Sequence, residues 1–458
     1  MRSHIDTHNN KKKHRNFPMN APLATDALKG RARKAALAFI FVTVLIDVIA
    51  FGVIIPVLPH LVEEFVGGDA STASYWIGVF STMFAAIQFF CAPIQGALSD
   101  RFGRRPVILL SCLGLGIDFI VMALAPTLAW LFVGRVFSAM FSASFTTANA
   151  YIADVAPPEQ RAKSFGMIGA AFGLGFIVGP LIGGVLGGID HRLPFWFAAG
   201  LALVNFCYGL FVLPESHPKE RRTPAFDWHH AKPLGGVKLL RKFPHIWGLV
   251  AVVFIANFAH YVYPSTFVLF ADVAYGWKEK QAGYVLALVG VLSVIVNVVL
   301  VGRVVKALGE RRAMLFALAC GIAGFIIYGF APTGAMFLVG MPISALWAIA
   351  GPSTMALITR QVPADAQGRI QGSLSSLVSL AGIVAPGIFA GAFGFFIGPR
   401  TPLHLPGVAF LIAAALLACA WLVAWRFTDA EHMHVVAPAP AATGEAEALP
   451  PGPSSLQG

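Results

Sequence analysis

Charge is scarce in this chain. Only 12% of its 458 residues are Asp, Glu, Lys or Arg, while 57% are hydrophobic. A soluble domain carries about 25% charged residues, so the several soluble domains that this length would suggest are excluded. Cysteine is also sparse. Cys91, Cys112, Cys207, Cys320 and Cys419 all fall in apolar stretches without metal-ligand spacing. They read as small buried hydrophobes rather than as disulfide partners or a zinc site. No G-x-x-x-x-G-K-[ST] phosphate loop occurs, which argues against a pump driven by ATP. No nucleophile–base pair or metal cluster is legible, so neither an enzyme nor a resident metal is expected. No secretory signal peptide is evident either, because the first apolar run is too long and begins late.

What the chain has in abundance is long apolar runs. Twelve can be marked, at 36–59, 75–97, 106–125, 128–150, 164–188, 193–213, 246–271, 281–302, 313–331, 334–358, 371–397 and 405–426. Runs near 20 residues match the roughly 30 Å hydrocarbon core of a bilayer when wound as helices. The expected fold is therefore an all-α integral membrane protein with twelve transmembrane helices. Residues 1–34 read as a disordered basic tail, 35–213 as a six-helix bundle, 214–245 as a Pro-rich basic linker, 246–427 as a second six-helix bundle, and 428–458 as a disordered tail rich in Ala, Pro and Glu.

The 33 Lys and Arg exceed the 22 Asp and Glu. A basic excess could indicate nucleic acid, but the positions argue otherwise. With the N-terminus in the cytoplasm, nearly all basic residues fall in the tail, in the central linker and in the loops after even-numbered spans. Only Arg192, Lys278, Lys280 and Arg400 fall in the opposite loops. That asymmetry is the positive-inside pattern of a membrane protein with both termini cytoplasmic. It implies contact with lipid and not with nucleic acid.

The two halves echo each other. GALSDRFGRR (96–105) follows span 2 and GRVVKALGERR (302–312) follows span 8. Paired six-helix halves are a transporter signature. The first of these loops contains G-x-x-x-D-R-x-G-R-R at Gly96, Asp100, Arg101, Gly103, Arg104 and Arg105. With LFVGRVFSAMF (131–141), GFIVGPLIGG (175–184) and Asp47 ahead of Gly52 and PVLP (56–59), the chain resembles the major facilitator superfamily. Within that superfamily it is most similar to the twelve-helix drug–proton antiporters, and among those to the tetracycline efflux transporters, over about residues 40–395. The resemblance implies two pseudo-symmetric bundles and export of a tetracycline-like or other amphipathic drug from a bacterium across its inner membrane. The coupled partner would be protons, with no cofactor, a divalent-metal complex is one form in which the drug would be carried, and a monomer is expected. Uniport or symport of another small metabolite is the alternative. The resemblance departs at the ninth helix, where the similar transporters carry an acid and this chain has Ala319-Cys320-Gly321-Ile322-Ala323.

Four ionisable residues stand well inside the spans: Asp47, Asp118, Arg135 and His260. A charge at mid-membrane costs roughly 2.5–3.5 kcal/mol on insertion scales, so such residues default to a functional reading. Asp47 and Asp118 are candidate proton carriers, with structural helix pairing as the bland alternative. Arg135 stays protonated and is expected to pair with Asp47 until a proton arrives. Asp47, Gln88, Asn149, Asn257, His260 and Asn297 are the candidate cavity lining, with spans 1 and 7 facing each other. The loop Gly96–Arg105 reads as a gate in which Gly96 allows close helix approach, Asp100 pairs or caps, and an Arg meets an acid such as Asp154. Gly175, Gly179 and Gly183, with Pro180 and Gly184, make a small-residue groove for close packing or hinging.

Overall fold

The computed structural model describes residues 30–142, 144–156, 160–218, 220, 222, 240–399 and 401–428. Residues 1–29 of the expected N-terminal tail, most of the linker and residues 429–458 therefore lie outside the described residues; residues 30–34, expected in the disordered tail, form the start of α1. The N-half contains α1 (Gly30–Ile54), α2 (Leu58–Phe65), α3 (Ala70–Phe102), α4 (Arg104–Leu124), α5 (Leu128–Phe141), α6 (Ser144–Val155), α7 (Arg161–Gly187) and α8 (Leu193–Val212). The C-half contains α9 (Trp247–His260), α10 (Val262–Tyr275), α11 (Glu279–Ile295), α12 (Val301–Phe330), α13 (Gly334–Ala345), α14 (Ala350–Arg360), α15 (Ala364–Ile397) and α16 (Val408–Phe427). No strand occurs among the described residues.

Eleven helical stretches among these residues are long and apolar enough to cross a membrane. One of them, Glu279–Phe330, has 52 residues, or about 78 Å of helix, more than twice a roughly 30 Å core. It is broken at Gly309, whose φ of 76° is not helical. Counted on either side of that break, the stretch is two spans, and the twelve expected from sequence are all present.

Four spans break, and span 8 also carries a π turn over Val296–Leu300. Span 1 breaks between α1 and α2, span 4 between α5 and α6, span 7 at Tyr261 between α9 and α10, and span 10 at a 3₁₀ turn over Leu346–Ile349. Proline explains three of these breaks. Pro56, Pro264 and Pro352 have no N–H to offer the carbonyl four residues earlier, so the ladder fails at Gly52, His260 and Ala348. The breaks recur every third span, which is the period of the internal repeat. The repeat also shows at the helix starts. Ala125-Pro126-Thr127 and Ala331-Pro332-Thr333 open spans 4 and 10, and each Thr hydroxyl accepts the backbone N–H three residues on, from Trp130 and Met336. That is helix N-capping.

Among the described residues the halves are packed together at one end. The main hydrophobic core joins α2, the first residues of α3 and the end of α4 to the C-half helices. A second core, around Phe39, Tyr151, Ile152 and Cys112, belongs to the N-half alone and lies toward the end that carries Arg104 and Arg105. At the joined end Ser71 and Ser74 of α3 donate to the carbonyls of Gly394 and Ala390 on α15, both at 2.7 Å. At the basic end a Cβ placed on Gly96, Gly166, Gly169, Gly302, Gly368 or Gly372 would meet nothing within 4 Å. Gly96 therefore faces open space and not a close helix crossing. The fold is a pair of bundles open toward the basic loops.

Candidate functional site

The seal at the closed end is built from α7. Residues 175, 179 and 183 share one face at four-residue spacing. A Cβ on Gly175 would lie 2.5 Å from Val48 Cγ1, and one on Gly179 2.8 Å from Gly52 Cα. One on Gly183 would run into the Val53 carbonyl. This face therefore lies directly on the α1 backbone. The adjoining face of α7 meets the other half. A Cβ on Gly184 would be 2.6 Å from Glu279 O and 2.9 Å from Gly283 Cα, and one on Gly283 would be 2.5 Å from Pro180 O. The five motif residues thus join α1, α7 and α11 by backbone contact, across the line between halves. Gly283, the partner glycine on α11, was not singled out in the sequence, where it is one glycine among 46.

The membrane charges sit within the N-half. Asp118 on α4 is 1% exposed, and among the described residues the only side-chain hydroxyl in reach of its carboxylate is that of Ser138. Gly134 and Ser138 of α5 are beside it. The charge that acts on it is Arg135, which lies beyond direct ion-pair contact and is itself buried with its guanidinium 4.5 Å above the Phe84 ring. The expected Asp47–Arg135 pairing is not the one found: Arg135 leaves α5 toward α3 and α4, and Asp118 is the acid on that side. Asp47 points instead into the packing of α1 with α4 and α8. Its Oδ1 accepts from Asn205 Nδ2 at 2.9 Å and from Cys112 Sγ at 3.9 Å, and Asn205 also donates to Thr43 O at 3.0 Å. At 5% exposure Asp47 does not line the open cavity in this conformation.

The other polar candidates gather at the broken spans. Gln88 Nε2 donates to Ser142 Oγ at 3.1 Å, at the break in span 4. Asn149 is exposed on α6. His260 is the last residue of α9 and is solvent-accessible although mid-span. Its ring lies 5.6 Å from Trp347 and 5.7 Å from Tyr263. Asn297 is exposed on a π turn over Val296–Leu300 that packs on the 3₁₀ turn carrying Trp347. Asn257 turns back on its own helix and donates to Val253 O at 2.8 Å. Spans 1 and 7 therefore do not bring Asp47 and His260 together. Periodicity could not show this, since both spans are apolar on every face.

The Gly96–Arg105 loop packs on the N-half itself. Arg104 forms ion pairs with Asp100 (2.7 Å) and Asp154 (3.1 Å), and Arg105 Nη2 donates to Leu210 O at 2.6 Å. Arg101 is exposed, beside Phe102. Gly103 has φ 104°, and a Cβ there would strike the Glu215 carboxylate. Glu215 was missed in the sequence. It accepts the Arg104 backbone N–H at 2.9 Å and so occupies the positive end of α4. Asp100 pairs with Arg104 and leaves that capping position to Glu215. Glu215→Ala should lower the stability of the detergent-solubilised protein by about 1 kcal/mol, read as a lower melting temperature; an unchanged value would remove the capping role.

Two bundles joined at one end, with interrupted central spans and buried charges, define a membrane transporter of the repeat-built kind. The chain belongs to the Major Facilitator Superfamily, whose sequence profile matches residues 40–386. It is 36% identical over 385 residues to the class C tetracycline resistance protein of Escherichia coli, covering 84% of this chain and 95% of that one. It is 27% identical over 388 residues to multidrug resistance protein 2 of Bacillus subtilis (strain 168), covering 84% and 94%. Among solved structures it resembles a bacterial homologue of the human lysosomal transporter Spinster, with TM-score 0.70 and 19% identity, covering 90% of this chain and 100% of that one. That likeness concerns the fold.

Proposed function

We propose that this protein is a proton-coupled antiporter that exports a tetracycline-like or other amphipathic drug from the cytoplasm across a bacterial inner membrane. The observation that carries the reading is the α7 seam. GFIVGPLIGG joins the halves backbone to backbone at one end while the other end stands open, in a chain 36% identical to a tetracycline resistance protein. The excess of Lys and Arg supports a cytoplasmic position for the open end and for both termini. The structure then corresponds to the drug-loading state.

In this reading the drug enters among the broken spans, where Gln88, Asn149, His260 and Asn297 offer polar groups beside Trp347. The Asp118–Arg135 pair holds the coupling charge. Arg135 keeps its proton, so Asp118 is the member that can gain and lose one. A proton on Asp118 cancels its attraction for Arg135 and frees α4 and α5 to shift. Asp47, held by Asn205, is a second acid within the same bundle. One charge crossing 100 mV supplies about 2.3 kcal/mol, and at about 1.4 kcal/mol per tenfold a single proton sustains a drug gradient of roughly fifty-fold.

The test is uptake into proteoliposomes with an imposed pH gradient, using a panel of drugs with and without magnesium. Accumulation of tetracycline or another amphipathic drug that collapses with a protonophore is expected. The magnesium arm reports whether the drug travels as a metal complex. Gradient-driven movement of a metabolite with no drug transported would overturn the proposal. Asp47→Asn is expected to lower gradient-driven uptake about tenfold, equivalent to 1.4 kcal/mol; uptake equal to wild type would take Asp47 out of the coupling.

A further inference from the structure

The closed end carries a cluster that the transport reading does not use. His60 on α2 is 5% exposed. Its Nδ1 faces the Pro56 carbonyl at 3.2 Å and Glu279 Oε1 at 3.3 Å. A carbonyl and an ionised carboxylate can only accept, so the ring proton belongs on Nδ1. This leaves Nε2 with a lone pair. The nearest group to it is another acceptor, Asp272 Oδ2, at 3.4 Å, and Nε2 makes no hydrogen bond. Asp272 Oδ2 already accepts from Lys278 Nζ at 2.8 Å, and a cation between it and the imidazole would answer both acceptors.

A second ring proton would answer Asp272 as an ion pair; the same spacing also suits a metal ion. Two ligands about 2.1 Å from a tetrahedral ion stand about 3.4 Å apart. A third ligand is in place, since a Glu63 carboxylate oxygen lies within 4.8 Å of both the His60 and Asp272 ligand atoms. Glu279, 4% exposed, sits on the far nitrogen of the imidazole and also lies 3.0 Å from His191 Nε2. A carboxylate behind a ligating histidine is the usual second partner at a zinc ion. Lys278 Nζ is 2.8 Å from Asp272 Oδ2. That side chain is 63% exposed and can swing into water when a divalent ion takes its place.

We propose that His60 Nε2, Glu63 and Asp272 bind a divalent metal ion of the zinc class, with Glu279 orienting the imidazole. The nitrogen ligand selects zinc over magnesium. His60 and Glu63 belong to the N-half, and Asp272 and Glu279 to the C-half. A bound ion therefore staples the closed end and holds the structure in the state described here. The pattern is hidden in the sequence because its ligands come from opposite halves of the chain.

The test is zinc chloride titration of the full-length protein in detergent after chelator treatment, with magnesium chloride as the second arm. No drug or pH gradient is involved, so failure here is separate from failure of the transport reading. One zinc per chain is expected, with affinity falling about tenfold or more in both His60→Gln and Asp272→Asn and no comparable magnesium uptake. Glu63→Gln, on a less buried side chain, provides a third variant should either of the others fail to fold. Spin labels at the closed ends of α3 and α15 should show their separation narrowing to one short distance when zinc is added. Wild type and variants with the same zinc affinity, or zinc binding that leaves the label distances unchanged, would overturn the proposal.

Discussion

Asp118→Asn is expected to abolish proton-driven drug uptake, lowering it about a hundredfold or more, equivalent to about 2.8 kcal/mol. The side chain is 1% exposed, and Arg135 is the charge that balances it, with the Ser138 hydroxyl beside it. Asparagine keeps the shape and removes the charge, and no proton can then neutralise the position reversibly. The same change leaves Arg135 as an unpaired buried cation, which costs about 3–5 kcal/mol, and expression should fall. The double variant Asp118→Asn with Arg135→Gln separates the two effects. Without either charge the bundle should regain its expression while coupled uptake stays lost. Recovery of gradient-driven uptake in the double variant would show that the pair is structural.

Gly184→Val should open the sealed end. The added side chain meets backbone atoms, Glu279 O at 2.6 Å and Gly283 Cα at 2.9 Å from its Cβ, and backbone cannot rotate away as a side chain can. Overpacking of this kind costs about 1–3 kcal/mol, and all of it falls on the state in which α7 touches α11. The equilibrium should shift away from that state by roughly 5- to 150-fold, and drug uptake should fall accordingly. Ser74 is fully buried at the α3–α15 seam. A cysteine placed there in a cysteine-free background should react faster with an impermeant thiol reagent once Gly184→Val is added. Unchanged labelling would mean that the seam is not a moving contact. Gly184→Ala should act in the same direction with a smaller effect.

Much of this architecture is legible in the sequence, and the exceptions have physical reasons. Apolar runs of bilayer length mark all twelve spans, including the two that run together through Gly309. GFIVGPLIGG is readable because small residues at four-residue spacing have one clear use, close backbone approach. Arg104 with Asp154 is readable because an arginine at a loop seeks an acid at the same end. The partners inside the N-half are not readable in this way. An apolar helix has no polar face to set its rotation, so nothing in span 1 shows that Asp47 turns to Asn205 rather than to Arg135. Glu215 is hidden because its role depends on the chain returning from α8 to the start of α4. The His60 cluster is hidden for the same kind of reason, as its members meet only when the two halves close.

The central claim is that drug and proton move in opposite directions through one coupled cycle. The most direct measurement imposes a drug gradient alone on proteoliposomes that hold a pH-sensitive dye, with no initial pH difference. Drug flowing in should drive protons out, so the lumen should turn alkaline. The signal should vanish in the Asp118→Asn, Arg135→Gln double variant. Drug flux of the same size with no pH change, or acidification of the lumen instead, would contradict the account.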